Sequence, residues 1–432
     1  MNYETIKSFV LVVLVGISFL LSFILWSYQP NYESFYDTSY VNEVDVGGIE
    51  LAKNDLVAPK EVIFQEDQKV TSFVNPNDRL LFYKNLASWV FYDFRVTNSN
   101  GRPDEKKKYV ELVFPSALPA ELITNLFTFH DEIDLPNWSF ERAFLIVNEE
   151  HHELELRIVS VDDRKEITAK IEKADTYDEL LSYMDDDEKL EEYISFGAPN
   201  SPIYLPKERV KTSSKTLVAS TIEPDYFIDA LFSNPSLVTP NIKEAYFTDG
   251  QRGMRIGQDG RKLEFINPIQ ATYNLLDSME LLDKSINNIN EHKGWTNEFF
   301  FEDINKPTNN IRFRLYYDGY PVFDNYSLSI IEQEWREQDL YLYSRPLMKI
   351  GNLLNSREIE LPSGQEISSF LLNDQRMKIE NIQDIQVGYS LSYLDEAHSL
   401  TLEPNWYILY EGEWIKFNLF DYQQDLHVEG VD

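Results

Sequence analysis

Residues Phe9 to Trp26 read FVLVVLVGISFLLSFILW, and no charge falls between Lys7 and Glu33. As an α-helix this run rises about 27 Å, close to the roughly 30 Å hydrocarbon thickness of a bilayer. No later apolar run matches it, because acids soon interrupt each one. The flanks agree with a span. Lys7 and the α-amino group precede the run, and Trp26 and Tyr28 stand where the far headgroups would lie, as interface anchors. A cleavable signal peptide shares the basic start and apolar middle, but it ends at small residues. Here the exit is Leu25-Trp26-Ser27-Tyr28-Gln29-Pro30, bulky where a peptidase needs small side chains. The expectation is a retained transmembrane helix over residues 9–28, with residues 1–8 cytoplasmic. Lys7 inside, followed by Glu33, Asp37, Glu43 and Asp45, then places the rest of the chain outside the cell membrane, as a single-pass protein.

The helix carries a pattern of its own. Ser8, Val15 and Ser22 recur every seven residues, as do Leu11, Ser18 and Leu25, and together they form one seam at the spacing of left-handed helix pairs. Ser18-x-x-x-Ser22 lets two backbones approach closely, with an interhelical hydrogen bond worth about 0.5–1.5 kcal/mol. The competing use of these hydroxyls is a bond to their own i−4 carbonyls.

The remaining chain has enough apolar material for packed cores, at 43 % hydrophobic and 14 % aromatic residues in 432. That length suits two or three domains. A formal net charge of −34 repels nucleic acid and anionic headgroups, which argues against both as partners. With no cysteine there can be no disulfide, thiolate nucleophile or cysteine-ligated zinc. An exported body of this kind suits a bacterium that does not rely on disulfide pairing.

After a polar stalk from Gln29 to Asp45, Gly47-Gly48 open the folded part. A helix is expected from Asn77-Asp78, and strands at Val110 to Phe114, Ala143 to Val147, Leu154 to Val161 and Ile167 to Ile171. A short helix from Pro119 to near His130 and a second, acid-rich helix over Thr176 to Ser195 flank the last three, and Gly197 to Pro202 punctuates a boundary. A second helix–meander–helix pattern follows. It comprises Pro224 to Phe232, three strands separated by Asp249-Gly250 and Asp259-Gly260, and a long helix with Tyr273, Leu275, Leu276, Met279, Leu282 and Ile286 on one side. Asp-Gly suits the left-handed conformations of tight hairpins. From Trp295 onward come more strands, an Asp318-Gly319 turn, a stretch from Leu328 to Trp335 that reads as strand or helix start, and a capping signature at Ser363 to Glu366. Strands outnumber helices and neighbour one another in sequence. The fold class is therefore α+β, built of antiparallel-sheet-plus-helix domains at residues 29–200, 201–294 and 295–432.

Chemistry is sparse. His151-His152 among Glu149, Glu150 and Glu153 would point opposite ways in a strand turn, so an exposed hairpin tip is the better reading than a metal site. Asp185 to Glu188 lacks the alternation and glycine of a calcium loop. No G-x-S-x-G, Walker A or H-E-x-x-H motif occurs. Thr212-Ser213-Ser214-Lys215 misses S-x-x-K spacing and reads as a linker. Trp406, Tyr407, Tyr410 and Trp414 read as core or edge strand, with a binding platform as the alternative. No catalytic residue, metal or cofactor is expected, and the chain is not read as an enzyme.

Two blocks carry a resemblance. Glu4-Thr5-Ile6-Lys7-Ser8 leading into the helix and Leu25 to Tyr32 leaving it resemble the N-terminus of YycH proteins. Tyr246 to Gly250 and Leu263 to Pro268 also resemble that family. The resemblance implies a single-pass protein with a three-domain extracytoplasmic part. It also implies an accessory regulator of the WalK/WalR (YycG/YycF) two-component system, partnered by the sensor kinase WalK and a YycI-like protein, with the membrane helix contacting the kinase's own. The alternative from another class is a membrane-anchored cell-wall glycan-binding module or hydrolase. It would need convergent acids or an exposed aromatic platform in a concave site.

Overall fold

Alternation of apolar and polar side chains drives most of this chain into strands. In Glu153–Ser160, Leu154, Leu156 and Ile158 all face the core while the residues between them are part-exposed. The computed structural model describes residues 44–131, 133–171, 174–241, 245–268, 274–374, 376–394 and 398–418. Among these residues two sheets dominate, and helices are few and short.

The first sheet has ten strands. From one edge they run Ser201–Pro206, Leu190–Ala198, Lys69–Phe73, Glu61–Glu66, Tyr109–Pro119, Ser139–Asn148, Glu153–Ser160, Lys165–Ile171, Val90–Asn98 and Thr128–Phe129. The second has fourteen strands drawn from 239–417 together with Val210–Thr221. Its spine is Lys262–Ile266, Asp339–Pro346, Ile330–Arg336, Asn310–Tyr317, Tyr320–Phe323, Ile382–Leu394, Ser399–Tyr410, Val210–Thr221 and Met348–Leu361. Neighbouring strands are antiparallel except at two joins, Val90–Asn98 with Thr128–Phe129 and Tyr320–Phe323 with Ile382–Leu394. The expected α+β class holds as mostly antiparallel, mixed sheets with helices packed on them. Both three-stranded meanders are present.

Local chemistry explains the helix starts. Asn75 caps Pro76–Ala87 by accepting from the Asn77 N–H at 3.1 Å, two residues earlier than the expected Asn77 cap, with Pro76 at the first helical position. Ser363 and Glu366 form the expected reciprocal capping box at the start of Gly364–Asn373. Asp277 caps Ser278–Asn290, whose Leu281, Leu282, Ile286 and Ile289 are buried. One apolar cluster takes residues from both sheets, among them Val62, Phe64, Leu112, Leu217, Phe313 and Tyr343, and Phe82 from the helix Pro76–Ala87. A second lies under Gly364–Asn373 and joins Leu205 to Trp406 and Ile408.

Two expectations are corrected. The acidic helix ends at Met184, and Leu190–Ala198 is a strand between Lys69–Phe73 and Ser201–Pro206. Leu190, Ile194 and Phe196 recur at strand spacing and pack on one side. The Gly197 to Pro202 punctuation holds the turn between this strand and Ser201–Pro206. Thr212 to Lys215 is no linker: it lies in Val210–Thr221, paired along Met348–Leu361 on one side and, from Lys215, with Ser399–Tyr410 on the other.

Candidate functional site: the cleft between the two sheets

The seam residues Ser8, Leu11, Val15, Ser18, Ser22 and Leu25, and the anchors Lys7, Trp26 and Tyr28, lie outside the described residues. Among the described residues no helix is long and apolar enough to cross a membrane.

The first described segment is strapped to the second half of the chain. Val46 N–H donates to His292 O and Ile49 N–H to Trp295 O, each at 3.2 Å. Asn290 closes the strap from both directions, accepting from Leu51 N–H at 3.0 Å and donating to Leu51 O at 2.9 Å. Lys349 Nζ donates to Gly47 O at 2.6 Å. Gly48 is needed for this approach, because a Cβ there would stand 2.4 Å from Lys293 O and 2.5 Å from Trp295 O. Beneath the strap, His292 lies 3.0 Å from the Tyr343 hydroxyl. Burial, with Arg345 adding repulsion, pushes its imidazole down to about 3, so the ring is neutral.

Between the sheets runs a polar cleft. Lys60, just before Glu61–Glu66, meets Asp384 of Ile382–Leu394 at 2.6 Å. A bulge between Ile382 and Asp384 re-aims that carboxylate out of the ladder. Arg79, buried on Pro76–Ala87, donates to Gly319 O at 2.9 Å and also bonds Lys60 O. Gly319 takes φ +73 beside Asp318 at φ +48, the left-handed pair of a two-residue hairpin turn. A Cβ on it would lie 2.8 Å from Pro76 Cβ, so the turn sits directly on the helix start. Glu61 and Glu191 share this end of the cleft with Tyr193, Tyr204, Tyr316 and Tyr320. Burial pushes Glu61 up and lifts Glu191 to about 7, with Glu61 and Glu208 repelling the latter. Burial holds the Tyr316 phenol up at about 12.

A buried ion cluster supports the cleft from the first sheet. Glu111 accepts from Arg102 at 2.8 and 2.6 Å, from Arg142, and from the Tyr204 hydroxyl at 2.6 Å. Burial alone would raise its carboxyl, but the two guanidiniums outweigh this and hold it below the ordinary range. A lone acid in the apolar run Tyr109-Val110-Glu111-Leu112-Val113-Phe114 was the signal that sequence reading passed over. Lys60, Arg79 and Asp384 carry no such signal, since their meeting depends on tertiary contacts.

His151 and His152 sit at the hairpin tip, with His152 at φ +53 and its ring 5.4 Å from Tyr177. Among the described residues no group of three or more His, Asp or Glu is placed to hold a metal. Of the four aromatics singled out above, Trp406 and Tyr407 are buried. Trp414 is half-buried, packs 5.1 Å from Phe323, and lines the cleft.

Comparison with known proteins follows these features over nearly the whole chain. A protein from Bacillus subtilis (strain 168), "Two-component system WalR/WalK regulatory protein YycH", is 22% identical over 454 residues, covering 96% of this chain and 96% of that protein. The crystal structure of YycH from Bacillus subtilis superposes with a TM-score of 0.71 at 20% identity, covering 86% of this chain and all of that one, so the fold is shared. Residues 4–189 match the family described as YycH protein, N-terminal domain, and residues 200–425 match YycH protein, C-terminal domain. On these two matches, which between them take in most of its length, the chain belongs to the YycH family.

Proposed function

We propose that this chain is a membrane-anchored regulatory protein that modulates the sensor histidine kinase of a WalR/WalK-type two-component system and so acts on cell-wall homeostasis. The supporting observation is the end-to-end similarity to a relative named for regulating that system, within a family match that takes in the apolar segment from Phe9 to Trp26. In this reading Phe9 to Tyr28 spans the cell membrane once, residues 1–8 are cytoplasmic, and the two-sheet body lies outside. The Ser8–Leu25 seam packs on a kinase helix preferentially in one signalling state. A partner shifts such an equilibrium only by its differential affinity for the two states. The outer body contacts a YycI-like protein, and no bond is made or broken by this chain.

The test is Ser18→Leu combined with Ser22→Leu in the native membrane. The expected outcome is weaker helix association in a membrane two-hybrid assay and altered kinase output, with an unchanged outer body. Unchanged association would remove the seam. Full complementation of a deletion strain by a secreted form lacking residues 1–28 would overturn regulation through the membrane helix.

A further inference from the structure

The strap from Val44 to Leu51 is held mainly by polar contacts. Of its side chains only Val46 is buried, at 5 % exposure, while Ile49 is 58 % exposed and Val44 and Leu51 are half-buried. Its other ties to the second half of the chain are the amides of Val46 and Ile49 on His292 O and Trp295 O, two bonds between Leu51 and Asn290, and the Lys349 ammonium on Gly47 O. Asp45 adds an ion pair with Lys293 at 3.3 Å. A segment with few apolar contacts and hydrogen bonds near solvent opens locally, at far smaller cost than the whole fold.

The surface that receives the strap is fixed from within. Arg345 is fully buried and donates to Gly294 O at 2.8 Å, to Thr296 Oγ1 at 3.1 Å and to the Tyr343 hydroxyl at 3.1 Å. Moving this loop would leave donors of a buried guanidinium without acceptors. Trp295 is 2 % exposed, and its indole N–H donates at 2.7 Å to Asn290 Oδ1, the oxygen that also accepts from Leu51. Asn297 ties the next turn of chain to Met348 O and Ile350 N–H, each at 2.8 Å. A weakly held strap over a firmly held dock has two discrete arrangements, hooked and released.

Release also has a limit. Just beyond the strap Lys53 pairs with Asp283 at 2.5 Å, and Leu56 and Val57 are fully buried. Opening therefore frees Val44 to Leu51 and stops there. Eight residues, drawn out, add up to about 25 Å of chain. The point at which the incoming sequence joins the body moves from Asn290, His292, Trp295 and Lys349 to Lys53–Leu56.

We propose that residues 44–51 are a releasable latch whose two arrangements set the reach of the chain between the membrane helix and the outer body, and thereby bias the helix toward one signalling state. This rests on the regulatory reading given above. Binding to the outer body can work the latch only through a difference in affinity for the hooked and released arrangements.

The experiment uses the full chain, in lipid nanodiscs for amide exchange and in the native membrane for kinase output. Asn290→Ala with Lys349→Ala removes three of the strap's hydrogen bonds, and Lys349→Ala alone serves if the pair does not fold. Adding Asp45→Cys and Lys293→Cys, joined by a short bis-maleimide, locks the strap again, and the chain has no cysteine of its own to compete. In the wild type, exchange at Val46, Ile49 and Leu51, corrected for intrinsic rates, should run about a hundredfold faster than at Val62 and Phe64 in the first sheet. The unhooking variant should speed it about tenfold further, and locking should return it to the rate of the sheet. Kinase output should change about twofold or more on unhooking and revert on locking. Strap amides that exchange only together with Val62 and Phe64, or no faster in the variant, overturn the latch. So does an unhooked chain that leaves output unchanged while Ser18→Leu with Ser22→Leu alters it, and in that case the regulatory reading survives. Output indifferent to all of these variants and to deletion of the whole chain removes that reading, and the latch with it.

Discussion

Lys60 Nζ lies 2.6 Å from Asp384 Oδ2, so an ammonium from the first sheet and a carboxylate from the second meet across the cleft. The two side chains are only 17 % and 9 % exposed, which makes the pair sensitive to the loss of one partner. Lys60→Met should lower the unfolding free energy by about 2–4 kcal/mol, because Asp384 is then buried without its counter-ion. The double variant Lys60→Met with Asp384→Leu should recover most of that loss. Denaturant melts followed by tryptophan fluorescence give the cycle, and equal losses in the single and double variants would refute a buried, coupled pair.

Glu191 gives the cleft a pH dependence of definite sign. Its folded value of about 7 lies above the ordinary 4.5, mainly through burial. The native state therefore holds this proton more tightly than the unfolded chain does. Stability should fall as pH rises from about 4.5 toward about 7, then level off. Glu191→Gln should stabilise the protein by about 1–2 kcal/mol at about pH 8, with the gain vanishing near about pH 4. A gain of equal size at both pH values would show that Glu191 does not titrate in this window.

Glu111 is the anion for two guanidiniums at once. Glu111→Ala should cost about 3–5 kcal/mol, since Arg102 and Arg142 then remain part-buried with their main acceptor gone. Glu111→Gln keeps the shape and one acceptor oxygen and should cost less. Thermal unfolding of the two variants separates charge from packing, and identical losses would assign the whole effect to the charge.

Gly48 tests the strap. Gly48→Ala places a methyl group against the Lys293 and Trp295 carbonyls, so residues 46–51 should lift away while the sheets persist. Amide exchange at Val46 and Ile49 should speed up and nicking near this segment should increase, with little change in the main unfolding transition. Unchanged exchange would mean that the strap tolerates the methyl group.

What could be read in the sequence was local. Asp318-Gly319 announced its hairpin because a left-handed two-residue turn favours these residue types, and Ser363 with Glu366 announced a helix start because both capping partners lie within one turn. Thr212 to Lys215 failed for the opposite reason. Its polar side chains look like a linker, and its strand character comes from pairing with Ser356 to Ile359 and with Leu402, far away in sequence. The acids after Met184 satisfy helix propensity as well as they satisfy a turn, and the neighbouring strands Lys69–Phe73 and Ser201–Pro206 decided the outcome. The cleft was illegible because Lys60, Arg79, Asp384 and Glu302 are separate letters until the two sheets meet. Among the aromatics noted at the outset, Trp406 and Trp414 line it, one at each end.

The strap reverses the ordinary link between chain order and mechanical attachment. Residues 46–51 precede the first sheet, yet they are laced to Asn290, His292 and Trp295 and to Lys349 in the second half of the chain. Tension arriving through the chain before Val44 is thus borne first by the hydrogen bonds at His292 and Trp295. A single cut between Leu51 and Lys60 would leave this N-terminal thread moored to the carboxyl-terminal half, not to the half it leads into.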